Sequence, residues 1–374
     1  MRKSVLAIAV ASAFVAPILA SAQTAPAAPT LDKVLEASGL SLSGYVDTAY
    51  SHADRDIENG FSTRVFDSQN NSFVLHQAGL QIAKQPKEGF GGLVNVTAGR
   101  DAGIIRSFDS TDSTFDLTQA YGQYATGALT LMAGKFTTLH GTEVIWSPSN
   151  ANFSRSILFG AEPFTHTGVR AVFAANDKLS LTAGLNNGWD QLRDQNKGKT
   201  MELGATLTPI KPVSVSASYY GGQENSATTG VAGRRDSFNL LGSWNIVEPL
   251  TVSAEYLRVQ QKDAIFDSSG STSKATYSGL AGYVSYLFMP KLKGTLRLES
   301  FDDKDAFRFG IPAGTTSGSK YKEYTLTLAY LPADSFEVRG EVRQDRANQQ
   351  VFTADNGNFS KNLTTFAVQA LYKF

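Results

Sequence analysis

Apolar and polar residues alternate with a period of two along most of the chain after residue 40. In the segment 335–343 (SFEVRGEVR), for example, apolar residues or glycine alternate with serine and charged residues of both signs. A β-strand places successive side chains on opposite faces of a sheet, so the pattern predicts strands with one apolar and one polar face. Because full charges are costly to bury, the polar face must meet water.

Sixteen segments show this alternation, and they are about ten residues long, as a tilted transmembrane strand requires. Their predicted bounds are 40–50, 73–84, 90–100, 115–125, 128–136, 164–175, 178–187, 200–208, 212–222, 235–246, 249–260, 275–288, 291–301, 322–331, 335–345 and 363–374. Tight turns alternate with long polar connections, which are 51–72, 101–114, 137–163, 188–199, 223–234, 261–274, 302–321 and 346–362. All loops therefore lie at one end of the sheet and all turns at the other, as in outer-membrane barrels.

Aromatic residues near the strand ends also favour a membrane barrel. Tyr324 and Tyr330 lie near the two ends of one predicted strand and Phe336 opens the next, as interfacial aromatic girdles require. The chain ends at Phe374, and a terminal aromatic strand predicts recognition by the β-barrel assembly machinery. We predict an all-β fold, a transmembrane antiparallel up-and-down β-barrel of about sixteen strands over residues 40–374. The alternatives are a secreted β-sandwich or solenoid, and a barrel of fourteen or eighteen strands.

The N-terminal segment has the pattern of an export signal. Arg2 and Lys3 precede an apolar stretch, and Ala20-Ser21-Ala22 fits a signal-peptidase site before residue 23. We predict a cleaved signal peptide over residues 1–22, with an N-terminal membrane anchor as the alternative. Residues 23–39 are predicted to be a periplasmic linker with a short helix over 31–38. The predicted location is the Gram-negative outer membrane, with its lipid as a partner.

The composition removes several other classes of protein. Lys+Arg and Asp+Glu are both 34, so no basic field suggests a nucleic-acid partner. The chain has no cysteine and four histidines, which excludes Cys-ligated metals and a thiol nucleophile. His140 and Glu143 lack the second histidine of a zinc motif, and Ser154 and His166 have no nucleophile elbow around them. We predict no catalytic residues, no metal, no cofactor and no enzyme activity.

A barrel of about sixteen strands is too wide for side chains to fill, so it leaves a water-filled channel. Charged residues on the polar register are predicted to line that channel. They are Arg170, Glu255, Lys293, Arg297, Glu299, Glu337, Arg339, Glu341 and Arg343. Two interpretations stay open: cross-strand pairing that stabilises the wall, or a transverse field that selects solutes. The balanced charges predict neither anion nor cation preference.

The connection 137–163 is the longest in the chain and contains more apolar residues than a free surface loop needs. A loop of this length usually has a function or packing of its own. We expect it to fold against the barrel wall and narrow the lumen, with Glu143, Arg155 and Glu162 as candidate constriction residues. The alternatives are a loop packed over the rim and a loop that plugs the lumen.

Three stretches carry a family resemblance: LSLSGYVDTAYSHA from residue 40, AGKF from residue 133, and GTEVIWSPSNANFSRSILFGAEPFTHTGVR from residue 141. They resemble the OmpL-like β-barrel porin family of Gram-negative outer membranes. The similarity covers nearly the whole mature chain and is strongest over residues 117–172. It implies an outer-membrane barrel with passive transport, and it carries over no catalytic residues and no defined substrate.

The predicted function is therefore an outer-membrane porin for passive diffusion of small hydrophilic solutes or ions. The alternative is a plugged or narrow barrel that acts as a surface-binding, adhesion or structural protein. The sequence leaves a homo-oligomer open, because lipid-facing and subunit-facing apolar strands have the same pattern.

Overall fold

A computed structural model describes residues 30–55, 57, 61, 63–111, 114–312, 317–353 and 358–374. The predicted signal peptide, residues 1–22, and the first part of the predicted linker lie outside these residues. The described part begins with a helix, α1 (Leu31–Ser38), which ends at Gly39 in the left-handed conformation, with φ 65°. No helix within the described ranges is long and apolar enough to cross a membrane.

The described residues form a closed antiparallel barrel of sixteen strands. These strands are β1 (Ser41–Ala53), β2 (Ser72–Lys84), β3 (Gly89–Ala98), β4 (Phe115–Thr126), β5 (Leu129–Thr137), β6 (Thr165–Ala174), β7 (Leu179–Asn186), β8 (Thr200–Ile210), β9 (Val213–Asn225), β10 (Ala232–Val247), β11 (Leu250–Phe266), β12 (Thr272–Met289), β13 (Leu292–Asp303), β14 (Ser319–Ala333), β15 (Phe336–Ala347) and β18 (Asn362–Lys373). Two short strands, β16 (Phe352–Thr353) and β17 (Phe359–Ser360), pair with each other in the last loop. The predicted fold class is confirmed.

The first and last strands close the ring. β1 pairs with β18 from Tyr45 opposite Lys373 to Ala53 opposite Thr365. The C-terminal residue takes part directly, because Phe374 and Gly44 exchange both backbone hydrogen bonds, at 2.9 and 2.8 Å. A closed ring leaves no sheet edge with unpaired N–H and C=O groups, which is what a β-structure needs inside a lipid bilayer.

The two faces of the barrel wall differ as the alternation predicts, and β14 shows this best. Leu326 and Leu328 on its outer register are 51% and 48% exposed, whereas Thr325 and Thr327 between them are each 1% exposed. Large apolar side chains on the exposed register need an apolar surrounding, which lipid supplies. The buried polar register faces the lumen.

An arginine at the outer face therefore tests the membrane assignment. We expect Leu326→Arg, in the middle of β14, to lower the free energy of unfolding in lipid by about 2–4 kcal/mol. The matched control is Tyr330→Arg on the same register near the short-turn end, which should cost about 1 kcal/mol or less. Urea titration of the refolded protein in lipid vesicles measures both. Equal losses at the two positions would contradict the outer-face assignment.

Two loops are at most half as long as the sequence predicts. The connections predicted over 223–234 and 261–274 shrink to 226–231 and 267–271, because β9 to β12 continue past the predicted bounds. The extra pairs include Ile265 opposite Ser273 and Phe266 opposite Thr272. Beyond the membrane both faces of a strand meet water, so polar residues occupy both registers. The alternation that marks a strand in the sequence is then absent, although the backbone still forms the hydrogen bonds of the sheet.

Two smaller helical elements lie within loops. The helix α2 (Ala102–Ile105) follows β3. The loop between β5 and β6 contains two single 3₁₀ turns, Ser147–Ser149 and Phe159–Ala161. We call this loop, residues 138–164, the inner loop, because it folds into the lumen.

Candidate functional site

More than half of the residues of the inner loop are buried, and they pack against the inner wall of the barrel. Ile157 and Leu158 have no exposed surface, and they join an apolar cluster with side chains from β11, β12 and β13. Gly279 on β12 makes room for this contact, because a Cβ there would lie 2.4 Å from the Leu158 side chain. The inner loop therefore lies inside the barrel, and its narrowing of the lumen stays a prediction.

Hydrogen bonds fix the first part of the loop to β9 and β10. The two ring nitrogens of His140 each lie 2.7 Å from a serine hydroxyl, Nδ1 from Ser218 and Nε2 from Ser237. The backbone N–H of Leu139 donates to the hydroxyl of Tyr220 at 2.8 Å. His140 is therefore a loop anchor, and its two nitrogens are already engaged by the wall.

Wall carboxylates hold the backbone of the inner loop. Glu299 accepts the N–H groups of Ile157 and Leu158, at 2.8 and 2.7 Å. Glu341 accepts those of Phe153 and Ser154, at 2.8 and 3.0 Å. Each of the two side chains thus acts as a clamp on two neighbouring backbone amides.

Glu255 holds the loop nearer its start, because it accepts the N–H of Thr142 at 2.8 Å. Together with Glu299 and Glu341, it places a carboxyl group on β11, β13 and β15, which belong to a run of five neighbouring strands of the sixteen. The three glutamates are on the predicted pore-lining register. Their oxygens are used by the loop backbone and do not face an open channel.

Arginines on the same wall hold loop carbonyls and pair with acids. Arg297 donates to Glu323 at 3.0 Å and to Glu143 of the inner loop at 2.7 Å. Arg339 donates to Glu337 at 2.7 Å, and Arg343 donates to Asp345 at 2.8 Å. These arginines also donate to loop carbonyls, those of Ser154, Asn152 and Arg155 respectively.

The side chain of Arg155 is buried within the inner loop. Its guanidinium donates to the carbonyls of Val144 and Phe153, at 3.1 and 2.9 Å. It also packs over the rings of Phe66 and Phe159, with its Cζ 5.4 and 5.7 Å from the ring centroids. With 1% exposure, Arg155 organises the loop from within.

Two predicted pore-lining residues lie away from the loop clamps. Arg170 on β6 pairs with Glu202 on β8 at 2.6 Å, and its Cζ lies 4.0 Å from the ring centroid of Phe136. Lys293 is half-buried near the short-turn end of β13. The structure thus places most of the predicted charged residues under the inner loop, where they form ion pairs or hydrogen bonds. Arg170 and Lys293 lie elsewhere on the wall.

A cavity of about 220 Å³ lies between the inner loop and strands β2 to β5. The wall side consists of uncharged polar residues: Gln81, Asn95, Thr118, Gln119 and Thr137. The loop side includes Thr138, His140, Glu143, Val144, Ile145, Trp146, Phe159, Glu162, Pro163 and Phe164. Of the three candidate constriction residues, Glu143 and Glu162 line this space and Arg155 does not.

A second cavity, of about 360 Å³, adjoins the first at the short-turn end of the barrel. It is lined by Ser43, Gly44, Gln81, Trp146, Pro148, Ser149, Lys373 and Phe374. Gln81 and Trp146 belong to both cavities and mark the place where they meet. The wall residues Gln81, Asn95, Thr118 and Gln119 were missed by a search for charged residues, and the signal that could have found them is their polar register on β2 to β4.

The candidate catalytic and metal residues have other partners. Ser154 Oγ accepts a hydrogen bond from Arg297 at 3.0 Å, while His166 stacks on Tyr220 with its Nδ1 3.1 Å from the Gly188 carbonyl oxygen. Within the described ranges, no three acidic or histidine side chains are grouped closely enough to hold a metal ion.

Solved structures of similar fold include outer-membrane channels. The outer membrane channel DcaP of Acinetobacter baumannii has a TM-score of 0.62 at 16% identity, with 90% of this chain and 97% of that chain covered. The anion-selective porin from Comamonas acidovorans has a TM-score of 0.62 at 12% identity, with 90% of this chain and 99% of that chain covered. The trimer form of OmpT from Vibrio cholerae has a TM-score of 0.59 at 12% identity, also covering 90% and 99%. At these identities the likeness shows the fold. Among curated proteins, none is significantly similar to this chain.

A closed sixteen-stranded barrel with an apolar outer face and a polar lumen is the architecture of an outer-membrane porin. The family described as Putative beta-barrel porin-2, OmpL-like, matches residues 39–374. The chain belongs to that family, and the resemblance noted in the sequence is confirmed. The protein is located in the Gram-negative outer membrane.

Proposed function

We propose that this porin is a water-filled channel for passive diffusion of small hydrophilic solutes or ions, and that the inner loop narrows it without closing it. The observation that carries the proposal is the pair of adjoining cavities that share Gln81 and Trp146. They trace a path from the short-turn end of the barrel along the β2 to β5 wall.

The asymmetric fastening of the inner loop supports narrowing over plugging. Its wall contacts include the clamps from Glu255, Glu299 and Glu341, on β11 to β15. The opposite wall, β2 to β5, instead presents uncharged amides and hydroxyls to the cavity. A space lined by such groups suits water, which needs two to four polar partners. We assign the solute path to this side.

We further propose that the barrel has no catalytic function. The hydrolase candidates Ser154 and His166 are engaged by Arg297 and by Gly188. A nucleophile and its base need to lie within hydrogen-bond reach of each other, and these two side chains serve separate contacts.

We also propose that each chain holds one complete pore. The ring of sixteen strands closes within the chain, so a neighbouring subunit adds no strand to it. A homo-oligomer would therefore place several pores side by side in the lipid without contributing residues to the solute path.

Single-channel recording tests the diffusion function. The purified protein, incorporated into a planar lipid bilayer, is expected to give discrete, stable conductance steps in potassium chloride. The matched sample is the same protein left unfolded in urea before dilution, which should give none. A barrel whose folding is verified by β-type circular dichroism but which stays electrically silent would favour the plugged, surface-binding alternative.

A further inference from the structure

We infer that the narrow part of the pore favours small neutral solutes with hydroxyl groups and apolar C–H surfaces, the chemistry of a monosaccharide or polyol. The inference rests on the proposed diffusion function and names the class of solute for the same path. It follows from three features of the cavity between the inner loop and β2 to β5: its polar wall, its apolar wall and its charge.

The polar wall offers hydrogen bonds without charge. Asn95 on β3 is 2% exposed, and its Nδ2 has no hydrogen-bond partner among the described residues. A buried donor that stays unpaired is costly, so this amide calls for an acceptor that enters the cavity. Gln81, Thr118 and Gln119 line the same space with further amide and hydroxyl groups.

The facing wall is apolar and partly aromatic. Ile145, Trp146, Phe159 and Phe164 of the inner loop line this side. The indole of Trp146 is held edge-on against Tyr45 of β1, with the ring centroids 4.4 Å apart. Apolar and aromatic side chains opposite a few placed polar groups form the usual lining of a small-molecule site. A sugar ring matches both walls, because it has C–H groups on its faces and hydroxyls on its rim.

The two acidic residues of the cavity carry little free charge. Glu143 pairs with Arg297 at 2.7 Å and accepts the N–H of Ser156 at 2.7 Å. Glu162 shares the amide of Asn239 with Glu255, at 3.1 and 2.8 Å. Burial, together with the neighbouring Glu255, raises the pKa of Glu162 well above its usual range.

An ion that enters this cavity would therefore lose water without gaining a free opposite charge. That loss is much larger for an ion than for a hydroxyl group, which can exchange its water for an amide partner. The size of the cavity, about 220 Å³, limits the solute further. It lies below the roughly 300–1,000 Å³ of pockets that hold drug-sized ligands, so a single sugar unit fits better than an oligosaccharide.

Uptake of three probes of similar size tests the inference. Proteoliposomes that contain the porin are given radiolabelled glucose, gluconate or glucosamine, which are respectively neutral, negatively charged and positively charged. We expect glucose to enter at least about three times faster than either ion, after correction for protein-free vesicles. Gluconate or glucosamine entering as fast as glucose would overturn the inference.

Variants at Asn95 connect the preference to the polar wall. Asn95→Leu is expected to bring the ratio of glucose to gluconate uptake down towards one, because one hydrogen bond to the sugar is lost. Asn95→Asp should raise glucosamine uptake relative to glucose. The matched control is Asn245→Leu, an exposed amide at the short-turn end of β10, which should leave the ratios unchanged. Unchanged ratios in both Asn95 variants would also overturn the inference.

Salt conductance separates this inference from the proposed function. If the bilayer recordings show open channels but the charged probes enter as fast as glucose, the solute preference fails and the diffusion function stands. If conductance and all three uptakes are absent from a folded barrel, both fail together.

Discussion

Removal of residues 144–161 from the inner loop is expected to raise the single-channel conductance several-fold. A sixteen-stranded barrel without this loop has a lumen too wide for side chains to fill. The cut ends can be joined by a short Gly-Ser linker, because Gly141 and Glu162 are neighbours: a Cβ at Gly141 would lie 2.5 Å from Glu162 Oε2. Planar bilayer recording of the purified variant gives the measurement.

The control for this deletion is a loop at the barrel rim. Removal of residues 268–270 from the connection 267–271 shortens an exposed turn that lines neither cavity. Its conductance should equal that of the unmodified protein. An inner-loop deletion that folds, inserts and conducts no more than this control would show that the loop does not set the width of the pore.

Arg297→Met is expected to produce the largest loss of stability among single substitutions on the inner wall. Arg297 is fully buried and bridges Glu323 of β14 to Glu143 of the inner loop. Its loss leaves Glu143 without its ion-pair partner and Glu323 with only the more distant Arg343, at 3.7 Å. Removing one partner of a buried pair costs about 3–5 kcal/mol. Urea unfolding in lipid vesicles measures the effect.

Two further variants serve as controls for that result. Arg234→Met breaks a half-exposed pair with Asp236 and should cost no more than about 1 kcal/mol. Glu323→Gln, combined with Arg297→Met, removes the carboxylate that has lost its nearer ion-pair partner and should recover part of the lost stability. Arg297→Met with no greater effect than Arg234→Met would contradict its role as the link between wall and loop.

The barrel itself could be predicted because lipid and water impose a simple pattern on each strand. Segments such as 335–343 alternate strictly, since one register must be apolar for lipid and the other polar for the lumen. The same rule placed Arg297, Glu299 and Glu341 on the inner wall before their contacts were known. The rule failed at the end of β11 and the start of β12. Both registers meet water there, and nothing in the composition distinguishes strand from loop.

The course of the inner loop could not be predicted, because its contacts join distant parts of the chain. His140 reaches Ser218 and Ser237, which lie 78 and 97 residues away, and no local pattern marks serines for this use. The uncharged wall of the cavity was missed for a related reason. Asn95 and Thr118 resemble any polar residues of a strand until the loop leaves them facing open space.

Solutes are proposed to pass between the inner loop and β2 to β5, and cysteine labelling tests this path most directly. The chain has no native cysteine, so Gln81→Cys on the proposed path and Ala281→Cys under the inner loop each carry a single thiol. A charged thiosulfonate reagent added during bilayer recording should reduce the conductance of Gln81→Cys and leave Ala281→Cys, which has no exposed surface in the parent residue, unchanged. Block at Ala281→Cys without block at Gln81→Cys would place the path on the other side of the loop and contradict the claim.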